Sequence, residues 1–241
     1  MIKYVSLLIL ELFDNFHKKK IFNFLLKKQY KKLKIMFDIG AHKGESIVSF
    51  NRYFEIDHIY SFEASPLTFS VLKDRLPKLK SSLKKTKLNI ENLAVGSKSG
   101  KKYLKQIKES SSSTIKDLNT NSKYFKKKKK FLGLNNQNFF KKIMVNQVTI
   151  DNYMKIKKIS KIDFLKIDTE GYEYEIVKGA LKNLKNIKLI LFEHHYDDMI
   201  KKGYKFSDIN GFLKKNNFEQ IFKKKMPFRK TFEYIYINKA Y

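Results

Sequence analysis

Short apolar runs alternate along the chain with stretches whose apolar residues recur every third or fourth position. Residues 35–39 (Ile-Met-Phe-Asp-Ile) predict a buried strand. Glu45 to Phe54 predicts a helix whose apolar face is Ile47, Val48 and Phe50. His58 to Phe62 is a second apolar run. Ser65-Pro66 then marks a helix start, because serine caps free N–H groups and proline suits the first helical position. That helix carries Leu67, Val71, Leu72 and Leu76 and is expected to end near Pro77. Leu88 to Val95 reads as a third strand, closed by Gly96. Strands and helices in this order predict a parallel sheet with helices on both faces.

After Gly100 the rhythm breaks. Residues 101–145 hold "SSSTI", "KKKKK" and "NNQN" and read as an irregular, lysine-rich, exposed insertion. Loops of this length in a domain often serve as lids or substrate-binding elements. The lysine run 126–130 reads as a solvated segment. Alternation resumes with a strand at Ile162–Ile167, then a helix with Ile176, Val177, Ala180, Leu181 and Leu184 on one face. A strand at Ile187–Phe192, a helix at Phe206–Leu213 and a terminal antiparallel pair, Phe218–Phe222 with Phe232–Ile237, complete the pattern. There is no internal repeat. The division is a helical extension over 1–34 and one α/β domain over 35–241.

In the extension, Leu7, Leu8, Glu11, Leu12 and Phe16 fall near helical spacing, as do Ile21, Phe22, Leu25 and Leu26. Two short amphipathic helices are expected. The run Tyr4–Leu10 is far shorter than the roughly 20 residues of a membrane span. No small-residue cleavage site follows it, which argues against a signal peptide and for a cytoplasmic protein.

The net charge is +29, and nearly all of it is lysine, with arginine only at positions 52, 75 and 229. Recognition of phosphate and guanine favours arginine's bidentate fork, so the composition argues against nucleic acid as partner. Lys18, Lys19, Lys20, Lys27 and Lys28 beside apolar residues leave open peripheral contact with an anionic membrane at its inner face. The absence of cysteine excludes disulfides and thiolate metal sites. Oligomeric state is not legible.

The candidate chemistry starts at "MFDIGAHKGES", residues 36–46, a strand end, a tight turn and a helix start. A dinucleotide fingerprint would put glycine where Asp38 stands, and a carboxylate there repels a pyrophosphate. An acid instead suits a ligand with positive charge, such as S-adenosylmethionine. The cofactor residues expected in the turn are Asp38, Gly40, Ala41, His42 and Gly44. Glu63 ends the second strand in "FEASP", at a spacing that lets it accept bonds from ribose hydroxyls, with Ala64 beside it.

With "NLAVGSKSG" at 92–100, "TIDNYM" at 149–154, "IDFLKIDTEGYEYEIVKGA" at 162–180 and "LILFEHH" at 189–195, these motifs resemble the FkbM family of S-adenosylmethionine-dependent methyltransferases. The resemblance covers about residues 35–195. It implies a Rossmann-like, seven-strand class I methyltransferase sheet, mostly parallel with its last strand antiparallel. It also implies methyl transfer to a hydroxyl, often of a sugar or other small molecule. An RNA methyltransferase is the competing reading, and a non-catalytic binding protein a third.

Methyl transfer from a sulfonium is an in-line displacement, and an aliphatic hydroxyl needs a base or a metal to lose its proton. Asp168, Glu170 and His194 are the expected catalytic residues. Asp168 or His194 could take the proton directly. Alternatively Asp168 and Glu193 could hold Mg²⁺ or another divalent cation. Strand alternation points His194 and His195 to opposite sides, so at most one belongs to the site. Tyr172 and Tyr174 are read as packing or covering residues, and Ser112 and Ser113 as cleft lining or plain loop.

Overall fold

In a computed structural model, which describes residues 2–83, 85–107, 113–132 and 140–241, the chain opens with one helix, α1 (Ile2–Lys27), where two were expected. Residues 2–27 contain neither glycine nor proline to break it. Asp14 and His17, between the two apolar groups, are where the helix meets charged partners. Arg229 Nη2 lies 2.7 Å from Asp14, and buried His17 lies 2.6 Å from Glu233.

The expected alternation follows as β1 (Lys32–Ile39), α2 (Glu45–Tyr53), β2 (Glu55–Phe62) and α3 (Pro66–Asp74). Ser65 Oγ accepts from the Thr68 N–H at the start of α3. Pro77 does not end that helix. It stands in the first turn of α4 (Leu76–Ser82), where a missing N–H costs nothing.

The third run divides into β3 (Lys87–Glu91) and β4 (Ala94–Val95), which belong to different sheets. The Asn92 side chain donates to the carbonyls of Glu63 and Ala64 and turns the chain between them. β5 (Gly100–Ile107), β6 (Asp117–Leu118), α5 (Lys123–Leu132) and β7 (Phe140–Val148) occupy the stretch read as irregular. β5 and β7 form an antiparallel ladder from Gly100↔Gln147 to Ile107↔Phe140, and β4 joins β7. The pattern did not reveal this ribbon because its own apolar cluster is small, Ala94, Leu104 and Val145, and Lys101, Lys102, Lys105, Lys141 and Lys142 interrupt its strands. The "NNQN" segment lies outside the described residues.

α6 (Ile150–Lys157), capped by Thr149, was not expected. Then come β8 (Ile162–Ile167), α7 (Glu173–Lys178), β9 (Ile187–His195), β10 (Ile200–Lys201), α8 (Phe206–Lys215), β11 (Phe218–Lys225) and β12 (Thr231–Asn238). The main sheet has the order β11-β12-β9-β8-β1-β2-β3. β12 runs antiparallel to both its neighbours and the remaining pairings are parallel.

Alternate residues of each central strand enter two cores, one on each face. Phe37, Ile39 and Leu165 join α6, α7 and α8, whereas Met36, Phe164 and Leu189 join α1, α2 and α4. Phe22 of α1 sits against Phe50, Tyr53 and Phe54, so the C-terminal half of α1 is part of the core.

Candidate functional site

Strand order reverses between β1 and β8, and at such a point the loops after the strands part to leave a crevice. Gly40 takes φ +82°, and a Cβ there would lie 1.8 Å from the carbonyl oxygen of Asp168. Only glycine lets the two strand ends approach this closely. The Asp168 N–H donates to the carbonyl of Ile39, and Phe62 accepts from Gly40 and Ala41, so three strand ends are tied together.

The cleft is lined by Gly40, His42, Glu63 and Ala64 on one side and by Asp168, Thr169, Glu170 and Tyr172 on the other. Phe62, Leu93, Val95 and Leu104 add apolar surface, and Ser113, Thr114 and Ile115 close it from the ribbon. Ser112 lies outside the described residues. The Glu63 carboxylate accepts from the backbone N–H groups of His42 and Ser65, each at 2.9 Å. Burial raises its pKa, against the pull of those two bonds. One lone pair on each oxygen remains for a ligand.

Three of the expected cofactor residues do not line the cleft. Asp38 is fully buried, accepts from Ser46 Oγ at 2.5 Å, and pairs with Lys166 Nζ at 3.0 Å. Burial pulls the Lys166 pKa down, but Asp38 and Asp168 outweigh it and raise it. The protein's own ammonium thus takes the charge that Asp38 was expected to offer a ligand. Ala41 is buried under the turn, and Gly44, at φ +89°, starts α2 against Leu72 and Leu79.

At the rim, Asp168 is 42% exposed at its side chain, and its carboxylate lies 3.6 Å from Lys166 Nζ. Glu170 has φ +53°, and its carboxylate lies 3.3 Å from His195 Nε2. Glu193 lies 3.2 Å from the same nitrogen, while Thr231 and Asp197 face Nδ1 at 3.2 and 3.6 Å. Burial lowers the His195 pKa, but Glu170, Asp197 and Glu193 overcome it and raise it to about 10. His195 is therefore a buried cation at neutral pH.

His194, chosen above as the catalytic histidine, points the other way. Its ring sits among Tyr196, Tyr204 and Phe206, and burial drives its pKa to about 3. Strand alternation sends the two histidines to opposite faces of the sheet, and His195, not His194, is the one that meets the acids.

The expected metal pair is not formed as a metal site either. Asp168 faces an ammonium and Glu193 an imidazolium. Among the described residues no group of three or more His, Asp or Glu side chains has the arrangement of a metal site, the cluster around His195 included.

Sequence reasoning missed Glu173. Fully buried, it accepts from the Gly171 N–H at 2.9 Å, from Thr169, and from Tyr204 Oη at 2.6 Å, fixing the turn that presents Asp168 and Glu170. Its signal was an acid two residues after a glycine at a short helix start.

This strand order, with its one reversed strand and a cleft between a glycine turn and a strand-end acid, defines the class of S-adenosylmethionine-dependent methyltransferases. The model of the methyltransferase FkbM domain matches residues 38–219, and the chain belongs to that family. It is similar to the methyltransferase FkbM of Methylobacillus flagellatus at 13% identity and a TM-score of 0.54, over 86% of this chain and 44% of that one. The chain thus spans less than half of that relative's length. It is also similar to the magnesium protoporphyrin IX methyltransferase of Synechocystis, solved with bound S-adenosylmethionine, at 8% identity and a TM-score of 0.53, over 94% of this chain and 80% of that one. At these identities the likeness is one of fold. No curated protein matches the chain.

Proposed function

We propose that the protein transfers the methyl group of S-adenosylmethionine to a hydroxyl of a sugar, a glycan or another small molecule, without a metal ion. The observation that carries this reading is the half-exposed Asp168 carboxylate, held by Lys166 on the cleft rim beside Gly40.

The residues fit the cofactor. Gly40 packs against the Asp168 backbone and brings the turn beside the Asp168 strand end, and Glu63 presents two acceptor oxygens aimed by backbone N–H groups, suited to a ribose diol. Phe62, Leu93 and Val95 offer an apolar wall to a purine ring. When bound, the cofactor supplies an electrophilic methyl on a sulfonium. Asp168 accepts the proton of the acceptor hydroxyl. Lys166 holds Asp168 in place. Glu170 and the His195 imidazolium form a fixed charge pair at the same rim and orient the acceptor.

The RNA alternative has less support. Arg75 donates to the Lys43 carbonyl and Arg229 to Asp14, so two of the three arginines are used within the protein. The test is methyl transfer from labelled S-adenosylmethionine to a panel of sugars and to RNA, in the presence of a chelator. Label in a sugar is expected. Label in RNA alone, or loss of sugar methylation with the chelator, would contradict the proposal.

A further inference from the structure

Contacts along α1 give its direction relative to the cleft. Phe24 meets Phe222 with ring centroids 4.8 Å apart, His17 meets Glu233, Asp14 meets Arg229, and Phe13 meets Phe228 at 5.0 Å. Glu233 and Thr231 are in register with Glu193 and His195 at the end of β9. The helix therefore climbs toward the catalytic rim as it is followed back to its N-terminus. Phe13 reaches the β11–β12 turn at that rim. Residues 2–12 continue the helix beyond this contact for about 16 Å. Their sequence, IKYVSLLILEL, carries only Lys3 and Glu11 as charges.

Where the helix passes the turn, three rings stand in solvent: Phe13 at 40% exposure, Phe16 at 58% and Phe228 at 75%. Lysines surround them. Lys20 Nζ sits 4.5 Å over the Phe16 ring, and Lys19, Lys225 and Lys230 are exposed on the same two segments. Aromatic rings flanked by lysines suit the boundary between headgroups and acyl chains. The net charge of +29 works against a second copy as the occupant, because like-charged faces repel. No described helix is long and apolar enough to cross a membrane.

We propose that this patch, the first half of α1 together with the β11–β12 turn, docks the enzyme on an anionic lipid bilayer, with Phe16 and Phe228 in the headgroup layer. The bilayer then lies at the rim where the acceptor enters, so an acceptor displayed on lipid reaches Asp168 from that side. Docking itself does not depend on the acceptor proposed above.

The test is flotation of the full chain with phosphatidylcholine vesicles, with and without phosphatidylglycerol, at low and high salt. Flotation with the anionic vesicles alone is expected, and it should weaken as salt rises. The Phe16→Ala/Phe228→Ala variant should lower partitioning roughly tenfold. Lys19→Glu and Lys20→Glu should each lower it by roughly fivefold or more. Both rings are exposed, so the thermal melt of the phenylalanine variant should match wild type. Failure to float with anionic vesicles at low salt would overturn the proposal. So would flotation of the phenylalanine variant equal to wild type, or a dimer in gel filtration that the same variant abolishes.

Discussion

Along β1, β2 and β8 the cleft is shaped by backbone, whereas along β9 and β12 it is held by charge between side chains. On the first side, Gly40 rests on the Asp168 carbonyl, Phe62 accepts from Gly40 and Ala41, and Glu63 is aimed by two N–H groups. On the second, His195 sits between Glu170, Glu193 and Asp197, and α1 pairs His17 with Glu233 of β12 and Asp14 with Arg229 of the preceding turn. A backbone-built pocket fits a ligand of constant shape and tolerates little change. A pocket built from side-chain charge can be rearranged for a different acceptor while the sheet stays fixed.

The sharpest break between the two sides should come from Gly40→Ala. With its Cβ 1.8 Å from a carbonyl oxygen and φ at +82°, the variant should lose about 3 kcal/mol or more, or fail to fold, as read by urea denaturation. A stable Gly40→Ala protein would mean the strand ends are not rigidly joined. Lys166→Met comes next. It strands the Asp38 carboxylate in the core and should cost about 3–5 kcal/mol, part of which Asp38→Asn should restore in the double variant. If Asp38 instead served the ligand directly, the double variant would regain stability and still lose all cofactor binding.

At the rim between the two sides, Asp168→Asn should lower kcat by about 10²–10⁴-fold while the Kd for S-adenosylmethionine stays within a few-fold. An unchanged kcat would place the base elsewhere. A smaller effect is expected from His195. Its folded-state pKa of about 10 lies above the ordinary 6.5. Its contribution to stability is therefore complete below pH 6.5 and is lost as pH rises toward 10. Burial also raises the Glu193 pKa, so ionising that group costs stability in the same direction. The Tm of wild type should fall across this interval more steeply than that of His195→Gln. The His194→Phe variant, inside its aromatic cage, should keep the wild-type slope.

What was legible in the sequence follows the same division. Asp38, Gly40 and Glu63 stood out because a strand end, a tight turn and a helix start constrain neighbouring residues, and that constraint is written locally. Even there the role of Asp38 was misassigned, since its partner Lys166 lies on another strand at an ordinary-looking position. The histidine-acid cluster joins Glu170, Glu193 and Asp197 with Thr231, and α1 adds His17 beside Glu233. No spacing rule connects these segments. The β5–β7 ribbon was invisible for another reason. Its strands bury few side chains, and their lysines mimic a solvated loop.

The most direct test of the account is calorimetric titration of S-adenosylmethionine into wild type and Glu63→Gln, with thermal melts to confirm that both are folded. Wild type should bind at one site, and Glu63→Gln, which replaces one acceptor oxygen with an N–H donor, should bind about tenfold more weakly or worse. No binding by folded wild type, or equal binding by the two proteins, would contradict a cofactor seated between the Gly40 turn and Glu63.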